Sequence, residues 1–205
     1  MPNWCENELT ITGNVLSILD IKFKVINDPE KGLLEVLHPT PKQLVENNVE
    51  VYTNNSDDIE EKMMQRFRNK AKTGYESWYD WALAEWGTKW GDSSTHMTEE
   101  GDNTLHFYFE TAWSPPVEGI INISKKYPML TFVMTFREGG MGFAGAVGIS
   151  NGKVVHESNG KWPDDNEITY NEDDPELYYS LLEEHINNML DECKKEVEEK
   201  CKASN

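Results

Sequence analysis

Arg137 and Glu138, beside a glycine-rich turn at 139–142, are the adjacent cation and acid best placed to do chemistry. We interpret them as an ion pair. With nearby carboxylates they could move protons, but acid-base catalysis needs a cleft that a sequence does not reveal. Of the three functions that we consider for this chain, an enzyme is therefore the least favoured. We predict no catalytic residue.

Other reaction chemistries lack the residues that they require. There is no Gly-x-Ser-x-Gly motif, and Cys5 falls on a predicted strand while Cys193 and Cys201 fall on an acidic predicted helix, where a thiolate is disfavoured. The glycine-rich run 139–148 holds no lysine and precedes no helix, so it predicts a hairpin turn and close packing against tryptophans rather than a phosphate-binding loop. The histidines are scattered without metal-site spacing: His38, His96, His106, His156 and His185. We predict no metal and no cofactor.

Four of the seven tryptophans lie between Tyr75 and Trp90. Their spacing predicts a helix with Tyr75, Trp78, Ala82 and Trp86 on one face and Trp81 at its edge. Gly87 suits the helix end and a strand should begin at Thr88. We expect one buried cluster of Trp78, Trp86, Trp90 and Trp113, although an aromatic ligand cage or a partner-binding hot spot remains an alternative. The candidate pocket residues are Trp86, Lys89, Trp90, Trp113, Arg137 and Glu138.

The charge balance is strongly acidic, with 37 acidic and 19 basic residues and a net charge of -18. From residue 163 to the end there are 14 acidic residues against 4 lysines. Such a chain repels phosphate backbones, so we predict no direct nucleic-acid binding. A partner protein with a basic surface would be attracted instead, unless the acidity serves only solubility. The candidate partner-binding residues are Glu183, Glu184, Asp191, Glu192, Asp164 and Asp165.

Alternating and helical patterns predict a chain of mixed strands and helices. The expected strands are 4–12, 88–98, 104–113, 129–138, 143–150 and 153–157. Alternation supports 4–12 and 104–113. Helices are expected after Asn14, over 59–72 with Met63, Met64 and Phe67 turned inward, after an N-cap at Ser114, and from about 174 to 200. The last helix carries an apolar stripe, including Leu182, Ile186 and Met189, that should dock on its own domain or on a partner copy.

Three segments together resemble the YubB-type ferredoxin-like family of phage and plasmid proteins. They are Met-Pro-Asn-Trp-Cys-Glu-Asn at 1–7 with Leu-Thr-Ile-Thr-Gly at 9–13, Glu-Trp-Gly-Thr-Lys-Trp at 85–90, and Phe-Glu-Thr-Ala-Trp-Ser-Pro-Pro at 109–116. The resemblance spans about residues 1 to 150 and implies a ferredoxin-like sheet and a mobile-element origin. It transfers no catalytic residue, and the fold name implies no iron-sulfur cluster, for which three cysteines would be too few.

We therefore predict an α+β fold: a ferredoxin-like antiparallel sheet with helices on one face, a helical insertion and a C-terminal amphipathic helix. The expected organisation is one domain at 1–158 with an insertion at about 41–87, an irregular connection at 159–172, and an acidic helix at 173–205. The chain has no segment long and apolar enough for a membrane helix, and residues 1–6 contain no basic or apolar region, so we expect a cytoplasmic protein. We expect a monomer or a homodimer.

The functional prediction that follows is a non-enzymatic accessory protein of a phage or plasmid. It would bind a host protein through its acidic surface and could inhibit a host defence system. A binder of small molecules or nucleotide signals, using an aromatic pocket, is the alternative.

Overall fold

The computed structural model describes residues 3–47, 56–99, 101–163, 168 and 175–204. The strands in this part of the chain are β1 (Trp4–Gly13), β2 (Ser93–Glu99), β3 (Thr104–Ala112), β4 (Leu130–Glu138), β5 (Phe143–Ser150) and β6 (Lys153–Gly160). The helices are α1 (Val15–Asn27), α2 (Leu33–Leu37), α3 (Lys42–Glu46), α4 (Ser56–Thr73), α5 (Trp78–Glu85), α6 (Val117–Lys126) and α7 (Pro175–Ser204).

The described strands form one antiparallel sheet in the order β2-β3-β1-β4-β5-β6. Its first four strands, with α1 following β1 and α6 joining β3 to β4, have the arrangement of a ferredoxin-like fold. Strands β5 and β6 extend the sheet beyond β4. The predicted α+β, ferredoxin-like architecture is confirmed.

Local sequence explains how several of these elements begin and turn. Asn14 caps α1 by accepting hydrogen bonds from the backbone N–H groups of Leu16 and Ser17 at 3.1 and 3.2 Å. Asn151 and Gly152 both have positive φ, as a tight two-residue hairpin between β5 and β6 requires.

The main hydrophobic core lies between one face of the sheet and the helices of the ferredoxin-like unit. Strict alternation turns every second side chain of a strand toward this core. The fully buried side chains from the strands include Leu9, Ile11, Phe107, Phe109 and Phe132. Helices α1 and α6 complete it with Ile18, Ile21, Ile120 and Ile123.

Helix α7 packs against the opposite face of the sheet, over β4, β5 and β6. A second, smaller core forms there from Val133, Ala146, Cys193, Val197 and Cys201. The predicted apolar stripe of α7 faces this core, because Ile186 is buried and Leu182 and Met189 are half-buried.

Glycines let α7 approach the sheet closely. A Cβ atom added at Gly148 would collide with Cys201, and one added at Gly160 would collide with Met189. The turn glycines Gly139 and Gly142 instead lie against Trp162, in agreement with the predicted packing against tryptophan. The glycine-rich run therefore forms a turn and allows α7 to pack closely on the sheet.

Several predicted boundaries differ from the structure. Strand β2 begins at Ser93 rather than Thr88, because residues 87–92 form turns, and β6 continues to Gly160. Ser114 does not cap α6: the N-cap is Pro116, and the Ser114 hydroxyl donates to the Gly87 carbonyl at 2.8 Å. Most of the predicted connection at 159–172 lies outside the described residues.

The orientation predicted for α4 is wrong. Met63, Met64 and Phe67 are exposed, and the helix turns its polar side toward the protein. In the part of the chain that the structure describes, no helix is long and apolar enough to cross a membrane.

Candidate functional site

A groove runs between α7 and the half of the sheet that α7 leaves uncovered. The outward-facing side chains of β1 and β3 form its floor and one side of α7 forms its wall. One end has a volume of about 550 Å³ and is lined by Glu6, Glu8, Tyr108, Thr135, Phe136, Arg137, Glu183, Asn187, Leu190, Asp191 and Lys194. We call this end the acidic groove.

Arg137 bridges the sheet and α7 within the acidic groove. Its guanidinium donates from Nε to Glu6 Oε2 at 2.8 Å and from Nη1 to Glu183 Oε1 at 2.7 Å. Burial alone would lower the pKa of Arg137, but the hydrogen bonds to Glu183 and Glu6 outweigh it and raise this pKa. The groove therefore already holds one guanidinium between two carboxylates.

Two further acids line the groove without a cationic partner. Among the described residues, neither Glu8 nor Asp191 forms an ion pair. Tyr108 lies on the same floor, and burial raises its pKa, with a further contribution from the nearby Glu6 and Glu110 carboxylates. These carboxylates and this aromatic ring suit a cationic side chain.

The far end of the groove carries one acid and two lysines. It has a volume of about 390 Å³ and is lined by threonines of β1, β3 and β4 together with His106, Lys194, Glu198 and Lys202. Thr10 Oγ1 lies 3.1 Å from His106 Nδ1. Lys194 lines both ends, so the two cavities are neighbours along α7.

The predicted partner-binding residues fall on different sides of α7. Glu183 and Asp191 face the acidic groove, as described above. Glu192 lies on the other flank, where it lines a depression against β6, and Glu184 is exposed to solvent. Asp164 and Asp165 lie outside the described residues. The structure thus brings together two members of the predicted set.

The predicted four-tryptophan cluster is wrong, because these residues occupy separate sites. Trp86 is buried with Trp81, their ring centroids 4.8 Å apart, and Trp86 Nε1 donates to the His38 carbonyl at 2.9 Å. Trp78 is only half-buried. The reason is that α5 begins at Trp78, after its N-cap Ser77, and directs Trp81 and Ala82 inward.

Trp90 and Trp113 form an exposed pair around Lys89. Their ring centroids are 5.5 Å apart, and Lys89 Nζ lies 4.6 Å from the Trp90 centroid and 5.3 Å from that of Trp113. Tyr79 lies 5.8 Å from the same ammonium group. Trp113 has a φ of 65°, a conformation that a bulky residue adopts only when its surroundings enforce it.

The proposed pairing of Arg137 with Glu138 is also wrong. Consecutive residues of a strand point to opposite faces, so Arg137 enters the groove while Glu138 turns away from it. Glu138 is buried and accepts hydrogen bonds from the backbone N–H groups of Gly140 and Met141 at 2.6 and 2.7 Å. Its carboxylate holds the β4–β5 turn.

The residues of the predicted aromatic and polar pocket therefore do not form one site. Trp86 lies in the core, Lys89 lies with Trp90 and Trp113 at the surface, and Arg137 lies in the acidic groove.

A polar cluster that sequence patterns did not reveal joins the helical insertion to α6. Glu85 accepts hydrogen bonds from Tyr75 Oη at 2.5 Å and from Asn122 Nδ2 at 3.0 Å, and it lies 3.0 Å from His38 Nε2. Burial raises the pKa of Glu85, but the hydrogen bonds from Tyr75 and His38 outweigh it and leave the pKa below its usual value. Burial also lowers the pKa of His38. Because the polar groups of this cluster form hydrogen bonds with one another, we interpret the cluster as structural.

The cysteines are poorly suited to nucleophilic chemistry. Burial raises the pKa of Cys5 to about 12, with additional contributions from Glu138 and Glu6, and burial also raises the pKa of Cys201. All three thiols are buried. Within the described residues, no group of three or more histidine, cysteine, aspartate or glutamate side chains is arranged to hold a metal ion.

A match to a family model supports the fold. Residues 85–182 match the family model described as the ferredoxin-like domain in Api92-like protein. The chain is also similar to a crystal structure of a protein api92 from Yersinia pseudotuberculosis, with 10% sequence identity, a TM-score of 0.47, and coverage of 80% of this chain and 99% of that chain. No curated protein matches the chain significantly. The family model describes a fold and names no activity.

Proposed function

We propose that this chain is a non-enzymatic binding protein that holds a basic segment of a partner protein in its acidic groove. An arginine or lysine of the partner would be seated against Glu8, Asp191 and Tyr108. The observation that supports this most directly is Arg137, which the same groove holds between Glu6 and Glu183.

The chemistry of the groove favours a cation over an anion. Four carboxylates and two cations line its acidic end, and Arg137 is already neutralised by its two partners. A phosphate group entering here would meet Glu8 and Asp191, which repel it. A basic side chain entering the acidic groove would instead be attracted by both carboxylates.

An exposed aromatic residue on the strand that supplies Glu6 and Glu8 strengthens this proposal. Trp4 lies on the same face of β1 as Glu6 and Glu8 and is 41% exposed. Exposed tryptophans beside charged groups are typical of residues that contribute most of the energy of a protein interface.

The biological setting that we propose is an accessory role in a phage or plasmid. The resemblance to the YubB-type family supports it, as does a net charge of -18. In the cytoplasm of the host, the groove would cover a basic surface of a host protein and compete with whatever that surface normally binds. A host defence protein that acts on nucleic acid has a surface of this kind.

The proposal is tested with a fluorescein-labelled poly-arginine peptide and fluorescence anisotropy. Binding should weaken steeply from about 50 to 500 mM salt, where the Debye length falls from about 14 to 4 Å. A double variant with Glu8→Gln and Asp191→Asn should reduce affinity at least tenfold, which corresponds to about 1.4 kcal/mol.

The matched control removes the same charge elsewhere. Glu30→Gln with Glu46→Gln neutralises two exposed carboxylates on the helical side of the protein, outside the groove. If the groove and control variants lose affinity equally, the peptide senses only net charge and the groove is not its site. A poly-glutamate peptide that binds as well as poly-arginine would contradict the proposal.

A small-molecule binder is the second candidate, and the exposed ring pair around Lys89 favours it. Trp90 and Trp113 offer faces for a planar group, and Lys89 offers a charge for a phosphate. Thermal-shift measurements with nucleotides distinguish the two functions: stabilisation lost in Trp113→Gly supports this candidate, and no shift with any nucleotide removes it.

A further inference from the structure

Three aromatic rings surround the ammonium group of Lys89. The ring centroids of Tyr79, Trp90 and Trp113 lie 5.8, 4.6 and 5.3 Å from its Nζ atom. The two tryptophan centroids are 5.5 Å apart, so the ammonium lies over this pair and not between its rings. We call these three rings the Lys89 cage.

The Lys89 cage supports this ammonium without help from other groups of the described chain. Lys89 is half-buried, yet it forms no hydrogen bond and no ion pair with a described residue. The ammonium is attracted instead by the negative faces of the aromatic rings. The cage therefore binds a positive charge with no carboxylate in contact with it.

Hydrogen bonds hold together the two chain segments that carry the tryptophans. Thr88 Oγ1 donates to the Ala112 carbonyl at 2.9 Å, and Ser114 Oγ donates to the Gly87 carbonyl at 2.8 Å. Thr88 and Ala112 are both buried. Because the neighbours of both tryptophans are fixed to one another, the cage is formed before any ligand arrives.

The rings of the cage are exposed although they are large and aromatic. Tyr79, Trp90 and Trp113 are 41%, 36% and 43% exposed. Trp113 also has a φ of 65°, and backbone strain of this kind is concentrated at sites that bind ligands. The tryptophans come from 85–90 and 109–116, two of the segments that carry the family resemblance. This arrangement indicates a binding site.

Lys89 is a weak occupant of the cage. A primary ammonium is strongly hydrated, so contact with the rings removes water that the charge prefers to keep. Methylation of the nitrogen keeps the charge, removes its N–H donors and adds apolar surface. Aromatic cages accordingly bind quaternary ammonium groups in many proteins. A trimethylated ammonium should therefore displace Lys89.

We infer that the Lys89 cage binds a trimethylated lysine of a partner protein, and that Lys89 fills the cage in its absence. The internal occupant is itself a lysine side chain, which favours a lysine of a protein over the headgroup of a lipid. The net charge of -18 attracts cations to the surface. None of the cage residues lines the acidic groove, so the inference goes beyond the proposed function and does not depend on it.

This role of Lys89 differs from its role in the second candidate function. There the lysine would stay in place and contact a phosphate, whereas here it is the group that the ligand displaces. Removal of Lys89 therefore has opposite effects on the two ligands, since it should weaken the binding of a nucleotide and strengthen that of a trimethylated lysine.

Titration with a Gly-Lys-Gly tripeptide that carries a trimethylated lysine tests the inference. The indole N–H signals of Trp90 and Trp113 in nuclear magnetic resonance spectra should shift as the tripeptide is added. The unmethylated tripeptide should bind about tenfold more weakly. A neutral analogue with a tert-butyl group in place of the trimethylammonium has the same shape without the charge, and it should also bind about tenfold more weakly.

Variants of the occupant and of the cage should have opposite effects. Lys89→Ala empties the cage and should strengthen binding of the trimethylated tripeptide about threefold, whereas Trp113→Gly removes a ring and should weaken it about tenfold. Lys42→Ala removes an exposed lysine of α3 and controls for the change of charge. Phe67→Leu removes a ring of α4 that is 69% exposed and should leave binding unchanged.

Four outcomes would overturn the inference. The first is the absence of any shift in Lys89→Ala, where the cage is empty. The second is equal affinity for the trimethylated tripeptide and its neutral analogue. The third is an equal gain of affinity in Lys89→Ala and Lys42→Ala, which would show that Lys89 does not compete for the cage. The fourth is binding to phosphatidylcholine vesicles that Trp113→Gly abolishes, with no binding of the tripeptide, which would assign the cage to a lipid.

Discussion

Arg137 and Glu183 join the sheet to the C-terminal helix. Arg137 Nη1 donates to Glu183 Oε1 at 2.7 Å across a separation of 46 residues, and the same guanidinium holds Glu6 of β1. One side chain therefore links β1, β4 and α7, and it sets the distance between the floor and the wall of the acidic groove.

We expect this ion pair to be coupled energetically but only modestly. The Glu183 side chain is 55% exposed, so solvent screens the interaction. A double-mutant cycle with Arg137→Met and Glu183→Gln should give a coupling of about 0.5 to 1 kcal/mol in urea unfolding. The coupling should shrink in high salt, and a value that salt does not change would contradict the screening argument.

The tryptophans should divide into two classes in fluorescence. Trp81 and Trp86 are buried, whereas Trp4, Trp90 and Trp113 are exposed. Acrylamide should therefore quench part of the emission efficiently and leave a protected, blue-shifted remainder. A single uniform quenching constant would contradict this division.

Substitution of the same tryptophans should separate core from surface. Trp86→Ala should cost about 3 to 5 kcal/mol of unfolding free energy, because it leaves a cavity in the core. Trp113→Ala should cost less than about 1 kcal/mol, mainly through the lost contact with Lys89. Trp113→Gly should be less destabilising than Trp113→Ala, since glycine adopts a positive φ without strain. Urea unfolding of the three variants checks this order.

The thiols should be unreactive in the folded protein. The pKa of Cys5 is raised to about 12 and that of Cys201 is also raised, so both remain protonated at pH 8. Ellman's reagent should react slowly at this pH and quickly after unfolding in urea, because the thiolate is the reactive form. Fast reaction of the folded chain would show that these sites open readily.

Stability should fall as the pH drops below neutral. His38 has a folded pKa below its ordinary value of 6.5, so its contribution is present above about pH 6.5 and is lost as the pH falls through the folded pKa. Glu85 has a folded pKa below 4.5, so its contribution is present above that value and is lost at lower pH. The melting temperature measured from pH 7.5 to 4 should therefore decline, and His38→Gln should flatten the upper part of the curve.

A matched histidine variant controls this experiment. His185→Gln removes an exposed histidine from α7, away from the Glu85 cluster. The same flattening in both variants would show that His38 has no special part in the acid sensitivity.

Much of the secondary structure could be predicted because it depends on local pattern. Alternation located β1 and β3, and the four-and-three spacing of Ile186, Cys193 and Val197 identified the buried side of α7. Gly87 was correctly placed at a helix end because positive φ is costly for most residues. The resemblance to a known family implied a ferredoxin-like sheet, and the predicted order of these elements agreed with it.

The candidate site could be predicted only in part. Acid content indicated α7, yet of Glu183, Glu184, Asp191 and Glu192 only the first and third line the groove. Helical periodicity shows which residues share a side, but it does not show which side meets the sheet. Glu6, Glu8 and Tyr108 were not identified, because their alternation predicts an exposed face and says nothing of the helix that stands beside it.

Helix α4 and the tryptophans show where tertiary structure decided against local pattern. From its pattern we expected the apolar side of α4 to be buried. Asn69, on the polar side, instead donates hydrogen bonds to the carbonyls of Asn47 and Glu76, so the apolar side faces solvent. From the sequence we expected Trp90 and Trp113 in the core. The irregular segment at 87–92 and the positive φ of Trp113 place them at the surface instead. The sequence by itself determined the strands, the helices and their periodic faces. The tertiary structure alone decided what each face meets, because that depends on contacts between residues far apart in the chain.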